Sequence, residues 1–387
     1  MIGTAPRLRF GSCFYAPTGY GTAARAYLHA MHGAGVELSL ENLSRNKEIY
    51  VPDSLVQSLM RRELDARLCL WHTEPGAITR EHSKMPRTIV LSTWEADALP
   101  EHYREALNRV QEVWVPSGYN QKVFSEQLEV PVYRIPHPVP VYSTAAVSQE
   151  ELNQGLSLKP TDFVVLANAT WQERKNLDGI IEAFLRAFPT ESDTLLIVKT
   201  RFSFTSEHAA GVQISQAIDR AGGTRCQGID KRIRICTGIW PEGRITALTR
   251  RSDCCLSLHR GEGWCYPLFD SASSGIPVVA TGYSGPMDYL DPRFHHLVDF
   301  EKTVPMEKSV SGIILFDHTM HWAEPSVEHA ARLLRWIYEN RAAAKEMARL
   351  GAQEIQKKYS LRSIGEMARK RLEELSRELE DQDPAAV

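Results

Sequence analysis

Apolar residues recur along this chain in two alternating patterns. Short runs rich in valine, leucine and isoleucine occupy residues 8–10, 36–40, 67–71, 88–92, 112–115 and 132–135, and then 163–167, 194–199, 233–237, 254–258 and 277–280. Runs of that length read as strands buried on both faces. Between them the apolar positions switch to helical spacing. Thr22, Ala23, Ala26, Tyr27, Ala30 and Met31 repeat in this way until Gly33 and Gly35, and Leu177, Ile180, Ile181 and Phe184 give another amphipathic face. Further helices are predicted over 54–64, 100–111, 118–127, 209–221, 242–251, 324–338, 342–359 and 364–379. Strand followed by helix, repeated, predicts doubly wound parallel sheets.

The alternation stops once. His137-Pro138-Val139-Pro140-Val141 is rigid and extended, and residues 142–154 are small and polar, which is linker composition. Two domains are therefore expected, at 1–140 and 161–360, with a linker over 141–160. A chain of 387 residues also exceeds the comfortable size of one core. The last helix, within 361–387, carries Ile364, Met367, Leu372 and Leu375 as a face that would pack back on the first domain. Residues 380–387 are expected to be a disordered tail.

In parallel sheets, ligands gather where strands end, and the polar clusters of this chain fall there. After residue 258 comes Arg260-Gly261-Glu262-Gly263-Trp264-Cys265-Tyr266-Pro267-Leu268-Phe269-Asp270. Pro267 suits the first turn of a helix and Gly275 its end. Glu262 and Asp270 offer two carboxylates to one elongated, hydroxyl-rich ligand, with the N–H groups of Gly263, Trp264 and Cys265 beside them; solvated acids are the alternative. After residue 167, Arg174 and Lys175 precede a helix and suit a diphosphate, arginine as a planar fork and lysine as a compact charge. A further glycine loop, Thr281-Gly282-Tyr283-Ser284-Gly285-Pro286, could cradle a phosphate or sugar oxygen through its N–H groups at Ser284.

In the first half, Gly19-Tyr20-Gly21 precedes a helix, as phosphate-binding glycines do. The same residues match a loose dinucleotide fingerprint, with Glu37 or Glu41 as the acid further on. Strands also end in His72-Thr73-Glu74 and in Trp94-Glu95-Ala96-Asp97, where ligand-facing side chains are expected; a hydrogen-bonded loop histidine and helix-start acids are the alternatives.

Composition narrows the classes. Hydrophobic content of 43% and charge content of 24% are those of a globular protein, and a net charge of −3 argues against a general grip on nucleic acid or anionic membrane. No apolar stretch reaches the roughly 18 residues of a bilayer span. The seven cysteines, at 13, 69, 226, 236, 254, 255 and 265, show no Cys-x-x-Cys pairing, so reduced core thiols and a cytoplasmic setting are expected.

The segment from Glu262 to Val278 resembles the Glu-x7-Glu signature of family 4 of the retaining glycosyltransferases: a glycine-acid-glycine loop, Pro267-Leu268, a second acid and Gly275-Ile276-Pro277-Val278. The second acid is here Asp270, one methylene shorter than the usual glutamate. Trp94-Glu95-Ala96-Asp97 with Leu99-Pro100, followed by Glu112-Val113-Trp114-Val115-Pro116-Ser117, is similar to a subgroup that transfers hexoses in surface polysaccharide assembly. The resemblance implies the GT-B fold, two Rossmann-like domains facing across a cleft. It implies transfer of a hexose, of glucose or mannose type, from UDP or GDP to a hydroxyl acceptor, with retention and with no metal or other cofactor.

Arg174 and Lys175 would then neutralise the diphosphate, although the family's arginine often stands where this chain has Ala169 and Thr170. Glu262 would orient the sugar and Asp270 hold the ribose. Gly238 would pack on the base, Gly19 and Gly21 contact the donor, and His72, Trp94 and Glu95 lie on the acceptor side. The acceptor could be a glycan, a lipid-linked glycan, a small molecule or a modified nucleic acid, and peripheral membrane contact stays open. Competing readings are a GT-B epimerase or phosphorylase, a nicotinamide-dependent oxidoreductase, and an idle sugar-nucleotide binding protein.

Overall fold

The computed structural model describes residues 5–44, 54–140, 147–202, 206–221, 232–306, 309–310, 313–314 and 316–382. Contacts divide the chain into two units, Met1–Val141 with Gln356–Val387, and Tyr142–Ile355.

The first unit contains β1 (Arg7–Ser12), α1 (Gly19–Gly33), β2 (Glu37–Asn42), α2 (Ser54–Met60), β3 (Leu68–His72), β4 (Arg87–Leu91), α3 (Glu101–Leu107), β5 (Glu112–Val115), α4 (Gly118–Ser125) and β6 (Val132–Arg134). The strands form one parallel sheet in the order β2-β1-β3-β4-β5-β6, with Leu8 opposite both Leu38 and Leu68. β1 starts earlier than the apolar run because Arg7 and Arg9 alternate outward while Leu8 and Phe10 are buried; Arg9 pairs with Glu41 on the neighbouring strand.

The second unit contains α5 (Gln149–Gly155), β7 (Phe163–Asn168), α6 (Leu177–Ala187), β8 (Thr194–Lys199), α7 (Glu207–Arg220), β9 (Ile233–Cys236), α8 (Glu242–Arg251), β10 (Cys254–Ser257), α9 (Tyr266–Ser273), β11 (Val278–Thr281) and β12 (His296–Val298). Its parallel sheet runs β12-β11-β10-β7-β8-β9. Two antiparallel pairs follow, β13 (Phe300–Thr303) with β16 (Trp322–Pro325) and β14 (Ser309–Val310) with β15 (Ile313–Ile314). They were not legible as strands: the helix expected from residue 324 begins only after β16, as α10 (Val327–Glu339), capped by the Ser326 hydroxyl.

The polar segment read as linker contains α5, because the Ser148 side chain caps it by accepting the Glu151 N–H and Leu152 is buried against β7 and β8 residues; residues 141–146 lie outside the described residues. The chain continues through α11 (Arg341–Lys358) to α12 (Leu361–Gln382). α12 packs on α1 of the first unit. Gly365 sits where a Cβ would collide with the Ala30 carbonyl, and Arg369 donates to the Ala34 carbonyl at 2.7 Å. Arg371 reaches Glu112, 2% exposed, at 2.6 Å. Ile364, Leu372 and Leu375 are buried as their spacing indicates, whereas Met367 is exposed. The expected tail is helical to Gln382, and 383–387 lie outside the described residues. Among the described residues no helix is long and apolar enough to cross a membrane. Cys13, Cys69, Cys236, Cys254, Cys255 and Cys265 are free thiols, and Cys226 lies outside the described residues.

Candidate functional site

β11, β10 and β7 are neighbours in the second sheet, and the loops that follow them meet at one edge. After β7 the chain makes a 3₁₀ turn over Glu173–Lys175 and reverses at Asn176, whose φ of 51° is left-handed. Asparagine tolerates that conformation, and its Oδ1 caps α6 by accepting the Gly179 N–H at 3.2 Å. The reversal delivers two cations to Glu262. The Lys175 ammonium donates to Oε1 of Glu262, and Arg174 stands 3.2 Å from Oε2 while donating to the Gly261 carbonyl at 2.7 Å. Glu262 is only 5% exposed. Burial alone would raise its carboxyl, yet Lys175 and Arg174 hold it down at about 2.

The β11 loop completes the cradle. Ser284, at φ 63° and ψ −150°, accepts the Glu262 N–H on its hydroxyl at 2.9 Å, and the Gly285 N–H donates to the Glu262 carbonyl at 2.9 Å. No residue with a Cβ fits at 285, since the Gly263 carbonyl fills that space. Cys265, at φ 70°, starts α9. Trp264 is turned into the core against Tyr289 and Phe269, so the loop offers a ligand its backbone and not the indole. Among the described residues, four non-glycine residues have positive φ, and three of them, Asn176, Cys265 and Ser284, surround this cluster. Backbone strain concentrated in one place marks a site at which geometry is held for a purpose.

His259 and Arg260, which the motif did not single out, hold the loops in register. His259 is fully buried, with Nδ1 3.2 Å from the Ser257 hydroxyl and Nε2 3.2 Å from the Tyr283 carbonyl. The carbonyl requires a proton on Nε2, which leaves Nδ1 to accept from Ser257. Arg260 grips both oxygens of Glu324 on β16 at 2.6 and 3.1 Å, donates to the Glu173 carbonyl, and sends its own N–H to the Arg174 carbonyl at 2.8 Å. One guanidinium thus ties the cation turn, the Glu262 loop and the β13–β16 pair together. Asp270 stands half-buried on α9, where it adds to the effect of burial in pushing the Cys255 thiol up to about 11. Gly238, past β9, gives its carbonyl to Lys199 at 2.6 Å.

The first unit has its own polar strand ends. Thr18 caps α1, and Gly21 closes against the Ala16 carbonyl, so its lack of a side chain is needed by the loop itself; Gly19 faces open space. His72 was expected to face a ligand, but it is 1% exposed, stacked 4.9 Å from Tyr20 and bonded through Nδ1 to the Ser12 hydroxyl at 3.0 Å. Trp94 is likewise buried, donating to the Ala98 carbonyl at 2.6 Å. Aromatic packing above these side chains is what sequence position alone does not reveal. Glu95 remains partly exposed, and with the exposed Glu74 it adds to burial in raising the Tyr20 hydroxyl. Among the described residues no group of three or more His, Cys, Asp or Glu could hold a metal ion.

Burial pushes His72 down to about 3 and His259 to about 4, whereas an unfolded histidine titrates near about 6.5. The unfolded chain therefore binds more protons below that value, and stability must fall as pH drops from about 6.5 toward 4. The carboxyl of Glu262, held at about 2, adds its own loss only below the ordinary carboxylate range. The melting temperature is expected to fall between pH 7 and pH 5, with a flatter slope in His259→Gln. An unchanged slope in that variant would mean that His259 is charged in the fold.

No protein-family model matches the chain, and no curated protein matches it. Solved structures do. HepE from Anabaena, crystallised with UDP and glucose, superposes with a TM-score of 0.66 at 14% identity over 95% of this chain and 99% of that one. Sucrose-phosphate synthase from Thermosynechococcus elongatus gives 0.65 at 12% identity over 97% and 99%. TarM from S. aureus, in complex with UDP and alpha-GlcNAc-glycerol, gives 0.54 at 14% identity over 79% of this chain, which spans 55% of TarM. These likenesses show the fold: two six-stranded parallel sheets with helices, of the GT-B class.

Proposed function

We propose that this chain is a retaining glycosyltransferase that moves a hexose from a nucleotide diphosphate sugar to a hydroxyl acceptor. The observation that carries the reading is the buried cluster of Arg174, Lys175 and Glu262, ringed by strained residues at the edge of a parallel sheet. Support comes from the nucleotide in the neighbours, since HepE and TarM were each crystallised with UDP.

In this reading Arg174 and Lys175 take the donor diphosphate. As the bond from the anomeric carbon to the phosphate oxygen breaks, negative charge grows on the leaving phosphate and positive charge on the sugar ring. Fixed cations and the N–H groups near Ser284 stabilise the former without reorganising. Glu262, released from the cations by the diphosphate, accepts hydrogen bonds from the sugar hydroxyls, with the N–H groups of Gly263, Trp264 and Cys265 beside it. Asp270 takes the ribose and Gly238 the base. The acceptor oxygen bonds to the anomeric carbon on the face the phosphate leaves, and the departing phosphate oxygen takes the acceptor's proton, so the configuration is retained and no protein base is required. The chain's own cations supply the charge that a metal supplies elsewhere. Glu95 is the acceptor-side carboxylate, with His72 and Trp94 supporting its strand end from within the core.

Thermal melting with a panel of UDP- and GDP-sugars tests this. A ligand at a hundred times its Kd stabilises the fold by about 2.7 kcal/mol, so one nucleotide series is expected to raise the melting temperature by several degrees while NADH does not. A shift with NADH alone, or with no nucleotide, would overturn the proposal.

A further inference from the structure

Lys199 ends β8 opposite Asn168 of β7, and Asn168 lines the pocket that Lys175 also lines. Its side chain is buried, with the residue only 5% exposed. The ammonium donates to the Gly238 carbonyl at 2.6 Å and to the Thr200 carbonyl at 3.4 Å, and lies 5.3 Å from the ring centre of Trp240. The Arg244 guanidinium stacks on that ring at 3.9 Å. Burial lowers the pKa of Lys199; the Cys236 thiol opposes this, and Arg201 and Arg244 lower it further. Among the described residues no carboxylate pairs with it. A buried cation without an acid is costly, and an ammonium has three N–H groups, of which carbonyls take two here.

Charge is therefore graded along the sheet edge. In the order β11-β10-β7-β8-β9, the carboxylate of Glu262 belongs to the β10 loop, the cation pair to the β7 loop, and an acid-free cation to β8 and β9. An elongated ligand whose anionic centre sits on Lys175 places its hydroxyl-rich end toward Glu262. Its other end, approaching Lys199, must present an oxygen acceptor.

We propose that Lys199 is a specificity-determining residue of the donor site, whose third N–H donates to O4 of uracil or O6 of guanine. It favours uracil over cytosine and guanine over adenine, because the amino group of the rejected base sets donor against donor and leaves that N–H without an acceptor. This inference rests on the donor reading above. A phosphate oxygen is the other acceptor of the same chemistry, and the test separates the two.

Calorimetric titration of the full chain with UDP, CDP, GDP, ADP and inorganic pyrophosphate is the experiment. The unaltered protein is expected to bind the oxo member of whichever pair it accepts about 10–100-fold more tightly than the amino member. Lys199→Met is expected to remove that difference while leaving pyrophosphate affinity unchanged. A parallel loss of UDP, CDP and pyrophosphate in the variant assigns Lys199 to phosphate and overturns the inference. Equal affinity for the oxo and amino members in the unaltered protein overturns it without any variant. If no nucleotide binds, the donor reading falls as well.

Discussion

Lys175→Ala is expected to destabilise the second unit and to abolish donor binding together. Glu262 is buried and shares its charge between Lys175 and Arg174. Removing Lys175 leaves the buried Glu262 carboxylate with Arg174 alone, so its charge is less well compensated, at a cost of up to about 3 kcal/mol. The donor also loses a charge-assisted contact to its diphosphate, and removing one donor of that kind lowers turnover by about 10²–10³. Melting with and without UDP, beside consumption of the nucleotide sugar, reads both effects. The double variant Lys175→Ala/Glu262→Gln separates them. It is expected to recover stability, because no buried carboxylate remains, but not donor binding. A single variant that melts normally and is still stabilised by UDP would show that Lys175 contacts no diphosphate.

Glu262→Gln is expected to bind UDP more tightly and yet to transfer sugar at about 10²–10³ below the parent rate. Without ligand, the carboxylate occupies the cations that a diphosphate needs. Opposite charges about 4 Å apart attract by about 4 kcal/mol at the effective dielectric of a protein surface. Glutamine gives up that attraction but keeps the shape. Recovering a third of it gives roughly a tenfold gain in UDP affinity. The rate falls because the amide cannot orient hydroxyls as a carboxylate does while positive charge grows on the sugar ring. Weaker UDP binding in this variant would mean that Glu262 assists the diphosphate and does not compete with it.

Much of this site was legible because its parts are local. Arg174 and Lys175 sit directly before an amphipathic helix, and Glu262 between glycines after an apolar run, so spacing alone placed them at strand ends. His259 and Arg260 escaped notice because their partners are distant: Arg260 meets Glu324 64 residues on, and no periodicity marks such a pair. The antiparallel pair of β13 and β16 was missed for a related reason. Its register sets Glu301 opposite Glu324 and Lys302 opposite Ala323, a pairing without an apolar alternation to announce it. His72 and Trp94 show the converse. Their position at strand ends was readable, but their burial depends on Tyr20 and Tyr103, which only the folded sheet brings over them.

The first unit is assembled from both ends of the described chain, with the second unit inserted between them. On a ribosome, α12 emerges only after all of the inserted sheet has been made. The second unit can thus mature while the first still waits for Gly365 to meet Ala30 and for Arg371 to reach Glu112. Until then α1 keeps an uncovered apolar stripe, and closure of the first unit waits on α12.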